Sequence, residues 1–328
     1  MSFSEFGLDA RLMRAVQEAG YDVATPIQAS AIPVALTGQD IIGTAQTGTG
    51  KTAAFVLPIL QRLLKEHATA PHHARVHRVL IVTPTRELAE QINDTIKALA
   101  KHTRIRTATI YGGVSAGPQE RALREGVEIL VACPGRLLDH IGTGACKLNN
   151  IEVLVLDEAD RMFDMGFLPQ VRKILSHVPR NRQTLLFSAT FPKDVEVLAR
   201  EALNKPQRVN VGVSQPARTV THALYPVPQH LKSDLLLALL KKTDAFSMLV
   251  FTRTKHRAER LARVLEKKGF STTSLHSDRS QNQRQRALQG FKDGKYQVMV
   301  ATDIAARGLD IESVSHVINF DIPDTVDA

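Results

Sequence analysis

The sequence predicts an α/β chain made of two successive units, each a mostly parallel sheet flanked by helices. Short apolar runs alternate with longer stretches of helical period, as strands and covering helices do. A stretch rich in Pro, Gln, Ser and Arg at 204–220 breaks that rhythm. The length of 328 residues exceeds one ordinary domain and suits two.

In the first unit, strands are expected near 40–43, 78–82, 107–111, 128–132, 152–156 and 184–187, with helices including 51–65, 86–100 and 195–202. The interruption divides the chain into 1–207, a linker at 208–220, and 221–328. Alternation then resumes, with strands near 247–251, 271–275, 297–300 and 316–320 and helices at 255–268 and 282–292.

Composition narrows the function. A 43% hydrophobic and 23% charged chain is ordinary for a soluble globular protein. Forty-two Lys and Arg against 33 Asp and Glu leave +9, which suits a polyanionic partner such as nucleic acid. Two cysteines, Cys133 and Cys146, exclude a disulfide framework and a four-cysteine metal site. The start lacks a basic then apolar leader, and runs such as 235–240 are too short to cross a bilayer. A reducing, cytoplasmic setting without a membrane partner is therefore expected. His67, His72, His73 and His77 fall in a Pro/Ala-containing stretch, expected as a solvated loop rather than a metal site.

The most informative segment is Ala45-Gln46-Thr47-Gly48-Thr49-Gly50-Lys51-Thr52, between an apolar strand and a helix. Such a loop turns its N–H groups toward phosphate oxygens, and glycines permit the sharp turns and close approach. The helix that follows points its N-terminus at the same anion. Lys51 is expected to reach the β- and γ-phosphates and Thr52 to ligate Mg²⁺. The strict pattern begins with Gly, where this chain has Ala45.

A second site lies where the apolar run 151–156 ends in Asp157-Glu158-Ala159-Asp160. Ligands of parallel sheets bind beyond the carboxyl ends of the strands, where these acids fall. Asp157 is expected to hold Mg²⁺, usually through a water, and Glu158 to orient the attacking water.

At this point the chain resembles the DEAD-box RNA helicases, in particular the bacterial RhlE-type branch, over essentially its whole length. The segment 20–28, ending Thr25-Pro26-Ile27-Gln28, resembles the family's Q motif, with Phe3 at the upstream distance. The resemblance implies ATP as cofactor, with Gln28 pairing adenine and Tyr21 offering a stacking face; Ala24 departs from the usual Pro or Cys. It implies RNA contacts from Pro84, Thr85 and Arg86, from Gly112 and Gly113, and from Pro134, Gly135 and Arg136. Cys133 stands where Thr is common, so one hydroxyl contact is expected to be missing. Ser188-Ala189-Thr190 resembles the coupling motif, its hydroxyls expected to bond the acidic tetrad through Asp160.

In the second unit the resemblance gives Arg253, Gln281, Arg284, Thr302 and Asp303 to RNA, and Gly308 and Asp310 to the ATP ribose. His276-Ser277-Asp278 stands where His-Gly-Asp is frequent. The implied fold is two RecA-like domains. The implied activity is ATP-driven local separation of short RNA duplexes, largely independent of RNA sequence. The family continues into a His-Arg-x-Gly-Arg-x-x-Arg segment that residues 321–328 do not reach. The second domain is therefore expected to be incomplete. Arginine fingers contribute on the order of 10³–10⁵ in rate, so this stretch is expected to bind ATP and RNA but hydrolyse slowly. An ATP-regulated RNA clamp and a DNA translocase are the competing readings.

Overall fold

The computed structural model describes residues 1–46, 48–67, 76–211, 220–242, 246–302, 311 and 314–322. Two compact units divide the chain, Met1–Gln215 and Pro216–Ala328.

The first unit carries seven strands: β1 (Ile41–Thr44), β2 (Val79–Val82), β3 (Thr107–Ile110), β4 (Ile129–Ala132), β5 (Val153–Asp157), β6 (Gln183–Ser188) and β7 (Gln207–Asn210). They lie in the order β3-β4-β2-β5-β6-β1-β7, and every neighbouring pair is parallel. Parallel pairs need crossovers. The crossovers are α3 (Lys51–His67), α4 (Arg86–Leu99), α5 (Ala116–Glu125), α6 (Pro134–Gly142), α7 (Ala159–Asp164), α8 (Leu168–Leu175) and α9 (Lys193–Ala202), while α1 (Ala10–Glu18) and α2 (Pro26–Leu36) precede β1.

Strand residues alternate between two cores. Val79, Ile81, Val153, Val155 and Phe187 face one; Leu80, Val82, Leu154, Leu156 and Leu186 face the other. Cover on both faces is why these strands read as unbroken apolar runs. Where β1 meets β6, Gly43 is paired with Phe187, and a Cβ on Gly43 would lie 2.5 Å from that ring. Glycine is required there by space, not by backbone angle.

One expectation is corrected. The stretch assigned to the linker contains β7, which adds to β1 through Gln207 N–H to Asp40 O (2.8 Å) and Val211 N–H to Thr44 O (3.1 Å). Of its four residues only Val209 is buried, so the apolar signal was too thin to mark a strand. His77 is a second correction: it is buried, and its Nδ1 donates to Val127 O at 2.8 Å. His72, His73 and the His67 side chain lie outside the described residues.

The second unit has β8 (Met248–Thr252), β9 (Thr272–Leu275), β10 (Val298–Thr302) and β11 (His316–Asn319), in the parallel order β11-β8-β10-β9. Its helices are α10 (Lys232–Lys242), α11 (Lys255–Lys267) and α12 (Gln281–Lys292). Thr254 caps α11 by accepting from Arg257 N–H, and Ser280 caps α12 by accepting from Gln283 N–H. No helix of the described residues is long and apolar enough to cross a membrane.

Candidate active site

All seven strands of the first sheet end at one edge, and the strand order splits that edge into two groups of loops. Beyond adjacent β5, β6 and β1 lie the acidic tetrad, Ser188-Ala189-Thr190 and the glycine-rich loop. Beyond adjacent β3, β4 and β2 lie Gly112-Gly113, Pro134–Arg136 and Pro84–Arg86.

In the glycine-rich loop, Gly48 and Gly50 have φ of +78° and +89°, a region side chains rarely adopt. Thr49 Oγ1 donates to Gln46 O at 2.7 Å and tightens the turn. Lys51 opens α3 and is buried, and Thr52 follows it half-buried. Ala45 does not offer its N–H to a phosphate, because that group donates to Ser188 O at 3.2 Å. Thr47 lies outside the described residues.

Gln28 ties this loop to α2. Its side-chain oxygen accepts from Thr25 N–H (2.9 Å) and its amide donates to Gly50 O (3.1 Å). Only 4% exposed, it spends one donor and one acceptor inside the protein. One N–H and one lone pair of its amide stay outside these two bonds, for the adenine pairing expected of it. Phe3, expected at the nucleotide, is buried; its ring stacks on Tyr21 at 6.0 Å between centroids and meets Phe6 edge-on. The structure thus places Phe3 in the core, against the half-buried Tyr21 ring.

The acids form a graded set. Asp157 is buried at the end of β5, and burial raises its pKa while the Lys51 ammonium pulls it down. Glu158 is pushed up to about 7, first by burial and then by the Asp157 charge. Arg161 Nη1 donates to Glu158 Oε2 at 2.8 Å and opposes the shift. Glu158 also adopts φ 53°, ψ 54°, a left-handed conformation uncommon outside glycine.

Asp160 is the joint. Its Oδ2 accepts from Ala189 N–H (3.2 Å), Thr190 N–H (2.9 Å) and Thr190 Oγ1 (3.1 Å). Its own N–H donates to Ser188 Oγ (3.0 Å), whose hydroxyl donates to Thr190 O (2.7 Å). The expected bonding of the tetrad to 188–190 is therefore present in the structure, made by both hydroxyls and two backbone amides.

In the other group, Thr85 caps α4 by accepting from Leu88 N–H at 3.3 Å. The Arg86 guanidinium lies against Gly112 and Gly113, where a Cβ on Gly113 would overlap it. Arg136 Nη1 donates to Val114 O at 3.2 Å, so both arginines brace the loop after β3. Pro134 is buried and Gly135 half-buried at the start of α6. Cys133 is 9% exposed within the core, and burial pushes its thiol up to about 12. It behaves as a small core residue rather than a contact. Sequence reasoning missed Gln119 and His140, which hold this loop: Gln119 Nε2 donates to Tyr111 O (3.0 Å), and His140 Nε2 lies 3.4 Å from Gln119 Oε1.

In the second unit, Arg253 follows β8, its N–H donating to Asp321 Oδ2 (3.1 Å) and Nη2 to Ile322 O (3.3 Å). Gln281 is buried and Arg284 half-buried in the first turn of α12, and Thr302 ends β10. Asp303, Gly308 and Asp310 lie outside the described residues.

Residues 25–198 match the DEAD/DEAH box helicase family, and residues 231–328 match the helicase conserved C-terminal domain. The chain belongs to the DEAD/DEAH box helicase family. Among curated family members, the DEAD-box ATP-dependent RNA helicase CshA of Bacillus cereus is 43% identical over 98% of this chain and 60% of its own length. That of Bacillus subtilis is 41% identical over 98% of this chain and 64% of its own. The chain thus spans about 60% of the curated relatives it matches. Among solved family structures, S. cerevisiae Dbp5 bound to RNA and ADP BeF3 superposes with a TM-score of 0.82 at 28% identity, covering 99% of this chain and 82% of that one. A DEAD box protein from Methanococcus jannaschii gives 0.60 at 34% identity over 98% and 86%.

Proposed function

We propose that this protein is an ATP-dependent RNA helicase that separates short RNA duplexes locally, with little regard to RNA sequence. The carrying observation is one sheet edge with two loop groups, the acids and glycine-rich loop on β5, β6 and β1 and two braced arginines on β2 and β4. ATP phosphates lie in the first group, against Gly48, Thr49, Gly50 and Lys51, with Tyr21 and Gln28 at the base. RNA phosphates run along the second group, met by Thr85, Arg86, Gly112, Gly113 and Arg136. In the second unit, taken by itself, Arg253, Gln281, Arg284 and Thr302 are the residues that meet RNA. The names of the CshA relatives and the RNA in the Dbp5 structure support the substrate class. Membership of the RhlE-type branch is part of the proposal and rests on motif spelling.

Magnesium fits the donors at hand. Thr52 offers a hydroxyl and Asp157 a carboxylate, the hard oxygens this ion favours. Thr52 and Asp157 would hold the ion, with phosphate and water oxygens as its further ligands. When bound, the ion neutralises phosphate charge. Glu158 orients the attacking water, and Asp160 carries the state of that site to 188–190.

The test is ATP turnover by the intact protein with and without single-stranded RNA, beside Lys51→Ala. RNA-stimulated turnover that falls at least about 100-fold in the variant is expected. Turnover indifferent to RNA would remove the proposal.

A further inference from the structure

The Glu259 carboxylate, on α11, gathers more donors than any surface ion pair needs. Its Oε2 accepts from Ser274 Oγ (2.8 Å), His276 Nε2 (3.2 Å) and Arg279 Nη2 (2.9 Å). Its Oε1 accepts from Arg263 Nε (3.2 Å) and Nη2 (3.1 Å). Burial would raise its pKa, yet these donors hold it down at about 2, so it is ionised at any working pH. Arg279 also donates from Nε and Nη2 to Ser274 Oγ (3.2 and 2.8 Å), closing the network, and His276 is 5% exposed within it.

Arg263 is on α11 itself; the other three partners, Ser274, His276 and Arg279, belong to one stretch, from the end of β9 through the turn closed by Arg279 N–H to His276 O (3.1 Å). Ser280 follows at once and caps α12, its N–H taken by Gln283 Oε1 at 2.9 Å. Gln281 and Arg284 stand on that first turn. A second tie, Lys255 Nζ to Asp278 Oδ1 (2.8 Å), pins the same loop to α11 but is exposed and contributes little.

We propose that Glu259 is a positioning residue for RNA: by clamping 274–279 to α11 it fixes the entry of α12 and so aims Gln281 and Arg284. The inference rests on the RNA role proposed for those two residues. Electrostatics alone argues the opposite sign, because a carboxylate near a phosphate path repels RNA and its removal should tighten binding.

The test uses the intact protein, a fluorescent single-stranded oligouridine and a non-hydrolysable ATP analogue. Glu259→Ala is expected to weaken RNA binding about tenfold, the loss of one charge-assisted tie, with an unchanged slope of log K against log salt. ATP-analogue affinity should stay unchanged. Glu259→Gln keeps shape and one acceptor and should fall between, which covers the case that the alanine variant folds poorly. Arg284→Ala should weaken RNA binding and flatten the salt slope, and should cost little more when added to Glu259→Ala. If Arg284→Ala weakens binding but both Glu259 variants bind as well as or better than the parent, Glu259 does not position RNA. If Arg284→Ala changes nothing, the RNA role of α12 fails and the inference falls with it.

Discussion

At Glu158 the backbone, the charge and the proposed chemistry pull in different directions. Its left-handed conformation costs on the order of 1 kcal/mol. Its carboxylate is buried beside Asp157, another acid. A residue chosen for stability would be neither left-handed nor charged. Glu158→Gln removes the repulsion and keeps the shape; thermal unfolding should show stability no lower than the parent's, while hydrolysis falls by roughly 10²–10⁴ as a lost general base would give. A variant that unfolds more easily and still hydrolyses ATP would reverse that assignment. Asp160→Ala removes the acceptor of three donors, two of them amides of exposed residues that water can satisfy. ATP affinity should therefore survive while RNA strand separation is lost, read by nucleotide binding and duplex separation on the same preparation. The acids and the glycine-rich loop were legible because spacing and chemistry coincide there. The internal engagement of Gln28 and of the Ala45 N–H was not, since only folding reveals which groups are already taken.

Among elements, the hold on the loop after β3 depends on a buried imidazole. Burial, and then the Arg136 charge, lower the pKa of His140 below its ordinary 6.5. The unfolded chain therefore binds the proton more readily than the folded one, and stability must fall as pH drops through and below about 6.5. Chemical denaturation between pH 7.5 and 4.5 should show that slope partly flattened in His140→Gln; an identical slope would mean His140 is not the group titrating. The pairing of β1 with β6 has its own constraint. Gly43→Ala places a methyl into the Phe187 ring, and overpacking of this kind costs about 1–3 kcal/mol, visible as a lower melting temperature. Helix and strand positions were readable where both faces of a strand are apolar. They were not at β7, a mostly exposed edge strand with one buried side chain, which is why the linker was set too early.

For the whole molecule, the sequence carried two α/β units and the order of their motifs. It did not carry the strand order, so it could not say that the glycine-rich loop and the acids would share one half of an edge and the arginines the other. That division is what supports a single protein in which ATP governs a grip on RNA. A net charge of +9 adds the expectation that RNA affinity falls steeply with salt, with log K linear in log salt concentration. The most direct measurement of the central claim is strand separation by the intact protein on a short RNA duplex of about 10 base pairs, with ATP and Mg²⁺. DNA of the same sequence and the Glu158→Gln variant serve as controls. ATP-dependent separation of the RNA, absent with DNA and in the variant, is the predicted result. RNA binding that ATP strengthens without any separation, or equal action on DNA, would contradict it.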